Sequence, residues 1–173
     1  ALLFPMTVSS GYGEWLPDEK LLQDFWGVVT EITQIDPKTP RPKIEFLEET
    51  GPDVKVLGEF DSQENKAGIR LGNIRSVILR EKCDGCVDLK PVICGVVLHE
   101  MLHSAQDRNQ VSQNYQHRQM KDRRYLKLAI RRVSYRFQIG SEYSEELLER
   151  TLEKGIDWEI QKEKEEIAQL AKK

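Results

Sequence analysis

His99-Glu100-Met101-Leu102-His103 is the stretch of this chain whose residue types and spacing spell out a reaction. On an α-helix, residues four apart are separated by ~40° around the axis and ~6 Å along it, so both imidazoles can address one ion. Neutral imidazole is a good zinc ligand. A carboxylate directly after the first histidine cannot follow it into the same coordination direction, but it can lie over the open position where water binds. Zinc would lower the pKa of that water towards ~7, and Glu100 would take its proton during attack on a carbonyl and hand it to the leaving amine. Peptide-bond hydrolysis, with Glu100 as general base and acid, is the chemistry this spacing predicts.

The surroundings of the motif sharpen the reading. Asp88 can cap a helix, Pro91 suits its first turn, and Val92, Ile93, Val96, Val97, Leu98, Met101 and Leu102 make most of its circumference apolar. A helix of that kind is expected to be buried. Two imidazoles and a carboxylate inside it would cost several kcal/mol of desolvation unless they were paired or bound to metal.

The elements that must position this helix follow from periodicity. Pro17-Asp18-Glu19 opens a helix with apolar residues at Leu21, Leu22, Phe25, Val28, Val29 and Ile32, ending before Pro37. Short alternating runs at Lys43–Glu48, Asp53–Phe60, Gly68–Leu71 and Arg75–Arg80, divided by Gly51-Pro52, Asn65 to Gly68 and Gly72-Asn73, predict a small, mostly antiparallel sheet. Residues 118–138 read as one helix with the apolar stripe Leu126, Ile130, Val133 and Phe137. Gly140-Ser141 breaks the chain, and a last charged helix from Glu145 to Lys173 is expected to be interrupted around Gly155. The fold class is therefore α+β: an N-terminal helix, the sheet, the active-site helix and further C-terminal helices.

The motif resembles that of the zincin metallopeptidases, whose fold places a small sheet before the active-site helix. Ile69-Arg70-Leu71, a second apolar run and then Val97-Leu98-His99-Glu100-Met101-Leu102-His103 is similar to the SprT-like (Spartan-type) proteases. The resemblance spans residues 18–140 and implies a DNA-associated zinc protease that degrades proteins crosslinked to DNA. It divides the chain into a zincin-like domain over residues 1–140 and a charged extension, 141–173, packed on it or trailing from it. It also implies a third zinc ligand a dozen or so residues downstream. His117 lies fourteen beyond His103, and these three are the chain's histidines.

Alternatives stay open at the third ligand. A single straight helix from 117 to 138 would point His117 roughly 170° away from the Leu126 stripe. A gluzincin-type peptidase would instead take a glutamate from a later helix, and Glu142, Glu145 and Glu146 are available. That peptidase would have no nucleic-acid role. A non-catalytic binding module with a structural zinc is the remaining reading, and it would need four protein ligands rather than three and an open position.

With 173 residues, 39% hydrophobic and 32% charged, the composition is that of one globular domain. It holds no apolar run of ~20 residues, so no membrane role is expected, and ALLFPMTVSS at the start resembles neither a whole signal peptide nor an anchor. The net charge of −3 conceals a segment of +8 at residues 108–136, where nine basic side chains face Asp122 alone. Arg123, Arg124, Lys127, Arg131 and Arg132 are candidates for contacting DNA phosphates there, against the plainer reading of a solvated helix face. Three cysteines favour a reducing, cytoplasmic setting. Cys83 and Cys86 have the CxxC spacing of a staple, a redox pair or half a metal site, and Cys94 is expected in the core. Trp15, Trp26 and Trp158 are expected in packing.

Overall fold

The computed structural model describes residues 15–172 apart from 52, 54, 82–88, 140 and 141, and leaves out the side chains of 78–81, 142–151 and 153. Among the described residues the protein is α+β, with six helices and a three-stranded mixed sheet.

Helix α1, Glu19–Thr33, starts where Asp18 accepts a hydrogen bond from the Leu21 N–H at 2.8 Å, and it stops at Gln34, which takes a left-handed conformation with φ 61°. Its apolar stripe buries Leu22, Phe25, Trp26, Val28 and Val29. The sheet comprises β1 (Lys43–Leu47), β2 (Gly58–Asp61) and β3 (Lys66–Arg70) in the order β1-β3-β2. β2 and β3 form the expected antiparallel hairpin, but β1 runs parallel to β3, so the sheet is mixed.

Two strand expectations are corrected, and one residue explains much of both. Asn73 is fully buried and accepts from the Gly51 N–H (2.9 Å) while donating to the carbonyls of Asp53 (3.0 Å) and Val56 (2.7 Å). Gly51, Asp53 and Val56 are thus bound through their backbone to a side chain rather than to a ladder, and only the last part of the run at Asp53–Phe60 becomes strand. Gly72-Asn73, read as a turn, lies in the first turn of α2 (Leu71–Glu81), which absorbs the run at Arg75–Arg80. A side chain at 72 would come within 2.9 Å of the Glu48 carbonyl oxygen, so only glycine lets this helix approach the end of β1.

Helix α3, Lys90–Arg108, carries the histidine motif and is buried on almost every side, as its composition predicts. Pro91 sits in its first turn; Asp88, Cys83 and Cys86 lie outside the described residues. Cys94 is in the core. The expected helix over 118–138 is instead two, α4 (Gln113–Asp122) and α5 (Tyr125–Phe137). The Arg123 and Arg124 N–H groups bond to the carbonyls of Gln119 and Lys121, and Arg124, at φ 55°, turns the chain. The Leu126 stripe, with Ala129, Ile130 and Val133, faces the core. Helix α6 runs from Glu142 to Ala171 without a break at Gly155, where a Cβ would meet nothing within 4 Å. A lone exposed glycine costs ~1 kcal/mol relative to alanine, too little to interrupt a helix held by Leu152 and Ile156 in the core. No helix among the described residues is long and apolar enough to cross a membrane.

Candidate metal centre

His99 and His103 stand one turn apart on α3, and the end of α3 and the start of α4 bring His117 back to them. The Nε2 atom of His103 lies 3.1 Å from that of His99 and 3.0 Å from that of His117, and the three residues offer ligand atoms all within 4.8 Å of one another. Nitrogens held by one tetrahedral zinc at ~2.0–2.1 Å would stand about 3.3 Å apart. The cluster is therefore close enough to bind one metal ion. The orientation difficulty raised by a single helix disappears, because His117 belongs to α4, which ends before the Leu126 stripe begins.

Hydrogen bonds at the far side of two rings set their tautomers. His103 Nδ1 is 2.8 Å from Gln116 Oε1, an oxygen that can only accept, so the proton sits on Nδ1 and Nε2 keeps its lone pair. Gln116 is aimed by its own amide, which donates to Asp107 Oδ1 at 2.7 Å and to the Val111 carbonyl at 3.0 Å. His117 Nδ1 lies 2.8 Å from Glu163 Oε1 on α6, with the same consequence. Burial holds all three imidazoles below their ordinary range: His99 far below it, His103 at about 3 and His117 at about 4, with further repulsion from neighbouring imidazoles at His99 and His103. They are neutral at pH 7, the form that binds metal.

Glu100 is 4% exposed, and burial raises its carboxyl to about 8, with Glu159 and Glu59 adding repulsion. A base needs the ionised form, which burial disfavours and a neighbouring divalent charge restores. Gly58 in β2 makes room for it, since a Cβ there would lie 2.9 Å from Glu100 Oε2 and 3.0 Å from Val96 Cγ1. Phe60, two residues on, stacks over His103 with ring centroids 6.4 Å apart.

These residues lie in a cleft of about 490 Å³. Residues 55–60, including the edge strand β2, line one part of it, and Leu152, Gly155, Trp158, Glu159, Lys162 and Glu163 of α6 line another. Trp158, expected in packing, is thus a cleft residue. The sequence reading also missed Gln116, Gly58, Glu159 and Glu163. The glutamates are indistinguishable from the other acidic residues of a charged helix, and a residue adjacent to a ligand has no signature of its own.

Glu142, Glu145 and Glu146 fall in the first turns of α6, and their side chains lie outside the described residues. Of the basic candidates, Arg123, Arg124 and Arg131 are exposed and Lys127 is half-buried. Arg132 is turned onto Glu31 of α1 at 3.3 Å, beside Arg136, which holds the same carboxylate at 3.1 Å. Compared with known proteins, the chain matches no family model, no curated protein and no solved structure.

Proposed function

We propose that the protein is a zinc-dependent metalloendopeptidase of the zincin type, with His99, His103 and His117 as ligands and Glu100 as general base and acid. The observation that carries this reading is the meeting of three neutral imidazoles with a buried carboxylate at the floor of a cleft. Three imidazoles, the metal-binding group found among the described residues, suit zinc and would leave a position open for water and substrate, whereas a structural site would be closed by a fourth protein ligand. A zinc ion held by these three histidines would polarise the substrate carbonyl and acidify a bound water towards neutrality. Glu100 accepts the proton at its carboxylate and delivers it to the leaving nitrogen. Gly58 keeps that carboxylate in place, and Gln116 holds His103 in the tautomer that presents Nε2. β2 lies at the edge of the sheet along the cleft, so an extended peptide can be recognised through its backbone.

The exposed arginines at the α4–α5 corner extend the proposal to a DNA-associated, SprT-like protease. Arg123 and Arg124 are exposed there, where phosphate can reach them. Zinc titration of variants tests the ligand set: His117→Ala should weaken binding by a large factor while Glu142→Ala, Glu145→Ala and Glu146→Ala bind normally. The reverse pattern would install the gluzincin arrangement.

A further inference from the structure

Helix α6 does more than extend the chain. Leu152 and Ile156 fix it to the core, Lys121 of α4 pairs with Asp157, and Lys55 and Lys162 both lie over the Trp158 ring, at 5.6 and 5.0 Å from its centre. Beyond these anchors Glu163 reaches back to His117. Its Oε1 accepts from Nδ1 at 2.8 Å, and its Oε2 is buried with no hydrogen-bond partner among the described residues.

A carboxylate taken out of water with one oxygen unsatisfied is costly, and a neutral N–H offsets little of that cost. The balance changes when the ring carries metal. Coordination at Nε2 polarises the imidazole, Nδ1–H becomes a stronger donor, and the carboxylate in turn raises the basicity of the ligating nitrogen.

We propose that Glu163 is a positioning residue, which aims Nε2 of His117 into the metal centre and by the same hydrogen bond ties the docking of α6 along the cleft to metal occupancy. The coupling is reciprocal: whatever affinity the ion gains from a docked α6, α6 gains in docking from the ion. Loss of metal thus loosens one wall of the cleft, and a partner that pulled α6 away would weaken the metal centre. The inference rests on the metal reading given above.

The test is zinc titration with a competing chelator, together with amide hydrogen exchange over residues 156–165, on the whole chain. Wild type should show added protection of that stretch when zinc is bound. Glu163→Ala should bind zinc about 10–100-fold more weakly and lose the zinc-dependent protection. Glu163→Asp, which keeps the charge but withdraws the oxygen, should do the same and covers the case in which the alanine variant folds poorly. Glu163→Gln retains an accepting oxygen but loses the charge, and should bind zinc more weakly than wild type and more tightly than Glu163→Ala. Lys121→Ala cuts only an exposed ion pair to Asp157, which contributes little to docking, so zinc affinity should change by less than about two-fold; a loss equal to that of Glu163→Ala would reduce Glu163 to one anchor among several and overturn its special role. Wild-type protein that takes up no zinc would overturn the metal reading itself. Zinc bound equally by wild type, Glu163→Ala and Glu163→Asp would overturn only the role of Glu163.

Discussion

The position of the Glu100 carboxylate depends on a residue that carries no functional group. At Gly58, a methyl group would sit 2.9 Å from Glu100 Oε2 and 3.0 Å from Val96 Cγ1. The carboxylate, as the free end of a flexible side chain, is what would move. Displacing a proton-transfer group by about 1 Å can cost roughly 100-fold in rate. Gly58→Ala should therefore keep the fold and the zinc while hydrolysis falls by about that factor, as seen by parallel circular dichroism, zinc content and peptide-cleavage rates. Unchanged turnover would mean that β2 does not hold the base. That His99 and His103 meet on one face of a helix, with Glu100 beside them, was legible from the sequence because the four-residue spacing dictates it. Gly58 and Gln116 were not, since their contribution exists only once β2 and α4 are folded against α3.

Among the elements, those with a strong helical period were the easiest to read. The stripes of α1 and α5 each find one buried face, and α3, apolar around most of its circumference, is buried on almost every side. The sheet region was misread where a side chain replaced a strand partner. Asn73, with no exposure and three hydrogen bonds to the backbone of residues 51–56, holds the loop that leads into β2. Alternation alone cannot tell such a loop from a strand, nor Leu71–Glu81 as a helix from a short strand after a Gly-Asn turn. Each bond is worth about 1 kcal/mol and buried groups left unpaired add to the loss. Asn73→Ala should thus destabilise by about 3 kcal/mol in chemical denaturation; a change under 0.5 kcal/mol would show that the loop holds itself. The same limit applies to the division between α4 and α5. Arg124 at φ 55° creates it, and nothing in the residue type of an arginine announces a left-handed turn.

For the molecule as a whole, the uneven charge and the cleft are separate features that the proposed function joins. Arg123 and Arg124 are exposed at the turn between α4 and α5, and Arg132 is held by Glu31, so the surface open to phosphate is smaller than the +8 count suggests. DNA titrations at low salt should show binding without sequence preference, with affinity falling as salt rises and the slope of log affinity against log salt dropping by roughly one per arginine removed. No binding at micromolar protein would leave a peptidase without a nucleic-acid role. The central claim is the peptidase itself, and Glu100→Gln tests it most directly, because the amide occupies the same space but cannot take a proton. With zinc content and cleavage of an unfolded protein substrate measured on the same samples, wild type and variant should each carry about one zinc per chain, and only wild type should cleave. Full cleavage by Glu100→Gln, or wild type that neither holds zinc nor cleaves, would contradict the account.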